Sequence, residues 1–204
     1  MSRLNQRERK VTVTDTFRLG PNASAKRGES DLLLGNTLEV QAGPGIATGT
    51  GTIVRTGVQR VGNIIHTEIL VDLTGLRSTG AGDIIGVDGT SLACYIGQVT
   101  AARCGTILSG TVECLEVPAG GDPDIDLYSA TEATGVEDAA ITSLAETQLT
   151  NGGDHTLAGV DALIAVPAAD EYLYLVAAAA TDADYTAGKL LIRLQGYDST
   201  ETTV

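Results

Sequence analysis

Apolar and polar residues alternate in short segments along this chain, and Gly-rich breaks separate the segments. Leu190, Ile192 and Leu194 occupy one side of such a run, with Leu191, Arg193 and Gln195 on the other. That period of two predicts a half-buried strand with three aliphatics turned to the core. In Thr111–Val117 the apolar Val112, Cys114 and Val117 interleave with Glu113 and Glu116, and Leu115 breaks the alternation as a β-bulge would. Tyr172 and Tyr174 share one side of a further segment with Leu173 and Leu175 on the other, so one side is expected to meet the core and one a wetter surface. On the same grounds strands are expected at Val11–Phe17, Thr37–Gln41, Thr52–Thr56, Asn63–Leu73, Ser91–Val99, Thr106–Val117, Ile125–Ser129, Glu171–Ala177 and Lys189–Tyr197.

With 25 Gly and 5 Pro punctuating these segments, the pattern predicts an all-β protein, a β-sandwich of jelly-roll-like type. One short helix is expected at Glu137–Thr147, where Asp138 can cap and Ala139, Ala140, Leu144 and Ala145 favour helix. Pro118–Asp122 reads as a turn or as the one plausible inter-domain seam. A single sandwich is the simpler reading, because a break there leaves unpaired edges in the first half. The expected organisation is a basic N-terminal arm and loop over residues 1–36 and a β-sandwich body over 37–204. No stretch approaches the roughly 20 consecutive apolar residues of a membrane-spanning helix, and the N-terminus has charges without the apolar region of a secretory signal.

Charge divides the chain in two. The formal net charge is −13, yet residues 1–27 carry seven basic groups (Arg3, Arg7, Arg9, Lys10, Arg18, Lys26, Arg27) against Glu8 and Asp15. No Lys or Arg occurs between Arg103 and Lys189, an interval holding fifteen Asp and Glu. An acidic body of this kind repels nucleic acid, and the arm has one aromatic, Phe17, rather than a stacking series. The arm is read either as a solvated terminus or as a strap onto an acidic neighbouring surface such as another copy of the chain. Its partner-binding candidates are Arg3, Arg7, Arg9, Lys10, Phe17 and Arg18.

Little of the composition points to catalysis, with two His, three Cys and no Trp. Cys94, Cys104 and Cys114 lack any CxxC spacing and read as small core hydrophobes, although one pair can still bridge adjacent strands. Asp122, Asp124 and Asp126 fall two residues apart, so an extended chain would point them to one side, where a hard cation such as calcium can bind. The alternative is a solvated acidic turn entering a strand. An EF-hand is excluded, since Leu127 and Ala133 stand where that loop needs Gly and Glu. Gly43-Pro44-Gly45 lacks the remainder of a dinucleotide fingerprint. Ser91 leads into a strand rather than into the turn of a nucleophile elbow. His66 is expected on the polar face of a strand and His155 in a loop. No catalytic residue, metal or cofactor is assigned.

The segments Gly82-Asp83-Ile84-Ile85-Gly86, Ala93-Cys94-Tyr95-Ile96-Gly97-Gln98-Val99-Thr100, Asp122-Pro123-Asp124-Ile125-Asp126-Leu127-Tyr128-Ser129, Tyr172-Leu173-Tyr174-Leu175 and Tyr185-Thr186-Ala187-Gly188-Lys189-Leu190-Leu191-Ile192 together resemble small β-rich virion structural proteins of tailed bacteriophages, especially marine phages. The resemblance covers roughly residues 60–197 and leaves the arm and residues 18–36 unmatched. It implies a non-enzymatic capsid decoration or cement protein that binds the major capsid protein on the outside of the head, as a homotrimer, without contacting nucleic acid or membrane. The alternatives are a phage tail or fibre component, or a receptor- or glycan-binding module in which Tyr128, Tyr172, Tyr174 and Tyr185 would line a groove.

Overall fold

A computed structural model describes residues 40–198. Its elements, in chain order, are α1 (Pro44–Ala47), β1 (Ile53–Val61), β2 (Ile64–Asp72), β3 (Arg77–Ser78), β4 (Gly97–Gln98), α2 (Ala101–Cys104), β5 (Thr106–Ala119), β6 (Ile125–Ala130), a 3-10 turn (Ile141–Ser143), β7 (Glu146–Gln148), β8 (Val160–Ala162), β9 (Tyr172–Ala177), β10 (Ala183–Asp184) and β11 (Ala187–Tyr197). The protein is all-β. A five-stranded sheet in the order β1-β2-β11-β5-β8 and a four-stranded sheet in the order β4-β9-β6-β7 share one core, with β10 and β3 as a separate pair, and the ladders are antiparallel. The jelly-roll form of the expectation does not follow from this order, because consecutive β1 and β2 are neighbours in one sheet.

The hairpin β1–β2 begins from its turn. Val61 pairs with Ile64 across Gly62-Asn63, and Gly62 takes φ +62, the left-handed first position that a two-residue hairpin loop assigns to Gly. From that turn β1 and β2 stay in register over nine residues. Strand β11 then lies between β2 and β5, and its residues fix three cross-sheet rows. Val54, Val71, Leu190 and Cys114 form one row, Thr56, Ile69, Ile192 and Val112 the next, and Val58, Thr67, Leu194 and Gly110 the third. Leu190, Ile192 and Leu194 are buried as expected. From the other sheet Leu127, Leu173 and Leu175 join the same core.

The bulge at Leu115 is present. Leu190 pairs with Cys114 and Lys189 with Glu116, so Leu115 is the extra residue and lies exposed. A second irregularity follows opposite Gly188, which takes φ +133, and there Val117 turns outward. This corrects the expectation of Val117 as a core residue: two shifts close together reset the alternation that its spacing from Cys114 implied.

Four other expectations are corrected. Glu137–Thr147 is not a helix. Asp138 has φ +62, Ile84 donates to the Ala139 carbonyl at 3.0 Å, Ile141 donates to Gly82 at 2.9 Å, and Glu146–Gln148 pairs with β6. Helix propensities of a few tenths of a kcal/mol per residue yield here to long-range backbone bonds. Ser91–Val99 is strand only at Gly97–Gln98. Its remainder divides its hydrogen bonds between partners, with Cys94 donating to Gly135 and Ile96 to Leu173. Of Thr37–Gln41, residues 40 and 41 are not strand, and the rest lies outside the described residues, as does Val11–Phe17. In β9 both sides are covered: Leu173, Tyr174 and Leu175 are all buried. Among the described residues no helix is long and apolar enough to cross a membrane.

Thr67 sits in the third core row with its hydroxyl buried and without a hydrogen-bond partner among the described residues. Thr67→Val keeps the shape and removes that hydroxyl, so the variant is expected to gain about 1 kcal/mol. Ile192→Ala, in the row beside it, is expected to lose about 2–5 kcal/mol. Urea unfolding of the two variants checks both signs.

Candidate assembly surface

Strand β8 ends the five-stranded sheet, pairing with Thr111–Glu113 of β5, and Leu163 continues the contact by donating to the Gly110 carbonyl at 3.0 Å. Successive residues there point to opposite sides. Leu163 and Ala165 pack against the core, while Val160, Ala162, Ile164 and Val166 face solvent. Val160 is 57% exposed and Ile164 67%, and Leu157 just before them is 69% exposed. Leu108 and Leu115 of the adjoining β5 are exposed as well. The open side of an edge strand ordinarily carries charge or Pro to stay out of contact with other chains. Here the edge is bonded at Ile164, whose N–H donates to the Leu149 carbonyl at 2.8 Å, and the outward face presents four apolar residues at alternate positions, the arrangement of a surface that another surface covers.

The neighbourhood is acidic, because the whole interval from Cys104 to Gly188 lacks Lys and Arg. Glu113 pairs opposite Val160 and Asp161 lies within β8. The signal for this surface was in the sequence: Val160-Asp161-Ala162-Leu163-Ile164-Ala165-Val166 is apolar on both alternating sides, with one charge. It drew no strand expectation, because neither side stands out as polar.

Below the stripe, the His–Asp pair that a triad search would seek is built into the fold. His155 is buried. Its Nε2 donates to the Ile125 carbonyl at 2.9 Å, and its Nδ1 lies 3.3 Å from an Asp161 carboxylate oxygen. Ile125 belongs to the four-stranded sheet and Asp161 to the five-stranded one, so the imidazole joins the two. With Nε2 committed to a carbonyl, this nitrogen faces no hydroxyl or thiol. His66 is exposed on β2, as expected.

Asp122, Asp124 and Asp126 do not converge. Asp122 is fully buried and accepts from the backbone N–H of Asp124 at 3.0 Å and of Ala179 at 2.6 Å. Asp126 accepts from Gln148 Nε2 at 2.9 Å, with the Thr150 hydroxyl at 3.5 Å. Among the described residues no group of three His, Cys, Asp or Glu is arranged to hold a metal ion. Burial pushes the Asp126 carboxyl above its ordinary range; the hydrogen bond from Gln148 opposes that, and the charge of Asp124 adds to it. A second acidic hollow, of about 540 Å³, surrounds Arg77, whose guanidinium bonds Asp182 at 2.7 Å and Asp184 at 2.9 Å.

All three cysteines are free and buried, as their reading as core residues required. Desolvation pushes the Cys94 thiol up to about 11. The two Gly of Gly43-Pro44-Gly45 serve packing: Gly43 and Gly45 donate to the carbonyls of Tyr95 and Ala93, and a Cβ on Gly45 would lie 2.5 Å from Cys94 Sγ. The four tyrosines of the glycan alternative do not line one groove. Tyr174 and Tyr185 are fully buried, donating to the carbonyls of Glu132 at 2.7 Å and Asp122 at 2.8 Å. Tyr172 packs instead on Tyr95, with ring centroids 4.9 Å apart. The arm candidates Arg3, Arg7, Arg9, Lys10, Phe17 and Arg18 lie outside the described residues. No family model, curated protein or solved structure matches the chain.

Two outcomes follow. Native protein is expected to resist a disulfide thiol reagent near neutral pH and to release three thiol equivalents on unfolding in denaturant. For Asp126, a native pKa raised above 3.8 makes its contribution to stability greatest below that value. The contribution is lost as pH rises through the raised native pKa. Asp126→Asn keeps an acceptor for Gln148 without ionising, so its stability relative to wild type is expected to improve from about pH 3 to about pH 7. Chemical denaturation at both ends of that range reads the difference.

Proposed function

We propose that this chain is a non-enzymatic structural component of a phage virion, a decoration or cement protein that binds the outer surface of the capsid as a homotrimer. The observation that carries the reading is the apolar stripe on an otherwise acidic β body. Such a surface suits permanent association with other protein. The residues chemistry would ordinarily use support it too: His155, Asp122, Asp126 and the cysteines are engaged in holding the fold. The segment resemblance to phage virion proteins supplies the partner class, the major capsid protein. A tail or fibre location is the alternative with the same β architecture.

In this reading residues 1–27 hold the assembly that engages the capsid. Deleting them is expected to abolish co-sedimentation with heads lacking the protein, while circular dichroism of the remaining chain stays β-rich. Undiminished binding by the deletion variant overturns the role of the arm. Full-length protein that binds purified tails and leaves heads bare overturns the capsid reading.

A further inference from the structure

We propose that the stripe Val160, Ala162, Ile164 and Val166 is the docking site for the N-terminal segment Arg9–Arg18 of a second copy of this chain. The inference rests on the reading of the basic arm as an assembly strap and assigns the surface that receives it.

The five-stranded sheet has two ends, and charge distinguishes them. The β1 end borders a groove of about 710 Å³ lined by residues including Val40, Gln41, Ile53 and Val54. Strand β1 contributes Arg55 and Arg60 and no acidic residue; Arg60 is paired with Asp198, which leaves Arg55 to disfavour a segment rich in Arg and Lys. The β8 end lies within the interval that has no Lys or Arg and holds fifteen Asp and Glu; of the carboxylates nearest it, Glu113 is paired with Arg193 and Asp161 with His155, so the attraction comes from Asp154 and from the net charge of the interval. An arm bearing seven basic groups against two acidic ones is drawn to this end.

Shape agrees with charge. Val11, Val13 and Phe17, with Asp15 between the last two, fall on one side of an alternating run between Arg9-Lys10 and Arg18. Val160–Val166 and Val11–Phe17 are the same length, and the apolar side of the second is interrupted once, at Asp15. A strand laid along β8 covers the apolar stripe and pairs with the outward backbone groups of Val160 and Ala162, as in recognition by strand addition, whereas the outward N–H of Ile164 already donates to the Leu149 carbonyl at 2.8 Å and ends the pairing there. The described chain begins at Val40 beside β1, where its N–H donates to the Thr56 hydroxyl at 3.1 Å. Copies set with the β1 end of one beside the β8 end of the next form a head-to-tail contact, which closes as a ring when the rotation per copy divides a full turn and otherwise grows as a filament.

The test is light scattering of the full chain over a range of concentration and salt. Wild type is expected at a multiple of 20.9 kDa, dissociating as salt screens the contact. Ile164→Lys alters an exposed position and is expected to raise the dissociation constant at least tenfold with an unchanged circular dichroism spectrum. Arg9→Glu with Lys10→Glu is expected to do the same, and combining these with Ile164→Lys to restore part of the assembly. A chain of 20.9 kDa under all conditions, or Ile164→Lys at undiminished mass, overturns the proposal. Dissociation by Ile164→Lys but not by the arm substitutions also overturns it, assigning the stripe to another surface. So does a combined variant that regains nothing. Slow amide exchange at Val160 and Ala162, whose N–H groups face away from β5, that persists on dilution to monomer shows the chain's own segment as occupant and overturns the second copy. Failure to bind capsid with self-assembly intact bears on the proposed function alone.

Discussion

Strand β11 is the element on which the larger sheet depends. It is hydrogen-bonded to β2 on one side and to β5 on the other, so within the five-stranded sheet the early hairpin joins β5 and β8 through the last strand. Its three buried aliphatics each stand in a row completed by residues from β1, β2 and β5. Fit within these rows is close. At Gly110 a Cβ would come within 2.8 Å of Leu194, and at Gly196 within 1.7 Å of the Cys104 carbonyl oxygen. Contacts so distant in sequence cost loop-closure entropy before they return any burial, which places the sheet among slow-folding topologies.

Polar side chains complete what the apolar rows begin. Asp122 gathers backbone N–H groups from its own turn and from Ala179, while its own carbonyl accepts the Tyr185 hydroxyl. His155 joins the two sheets through Ile125 and Asp161. A buried carboxylate or imidazole without such partners is costly, and these groups have them. On the outer face of the larger sheet the demands are looser. Lys189 meets Asp72 and Glu116, and Arg193 meets Glu68 and Glu113, in pairs exposed enough that solvent and salt weaken them. Lys189 and Arg193 are thus matched within this face, and Glu113, opposite Val160, is one of their partners.

The stripe on β8 unites the fold with the proposed role. A single exposed aliphatic requires no explanation. Four on alternate positions of an edge segment, with Leu157 beside them, form a surface that costs free energy while wetted. The structural account of His155 bears on the same place. By tying Asp161 of β8 to the other sheet, it holds the edge rigid, and a rigid edge loses less conformational freedom when a partner covers it.

Sequence alone determined the strands that β-forming residues mark off between Gly- and Pro-rich breaks, and in β2, β5 and β11 a polar side as well. β2, β5, β6, β9 and β11 each lie within two residues of the expected ends, and the bulge at Leu115 was legible as a break in period. It also determined the acidic body and the buried state of the cysteines. Short-range pattern suffices there, because burial of one side and solvation of the other is a local property of a strand. The tertiary structure decided the rest. It made Glu137–Thr147 an irregular segment, because bonds to Gly82 and Ile84 outweigh a weak helical preference. It dispersed Asp122, Asp124 and Asp126 among separate backbone and side-chain donors, and it turned His155 from a loop residue into a joint. Above all it placed Val160–Val166 at a sheet end: a run apolar on both sides has no pattern to reveal which side is open, and only strand order assigns one to the core and leaves the other in water.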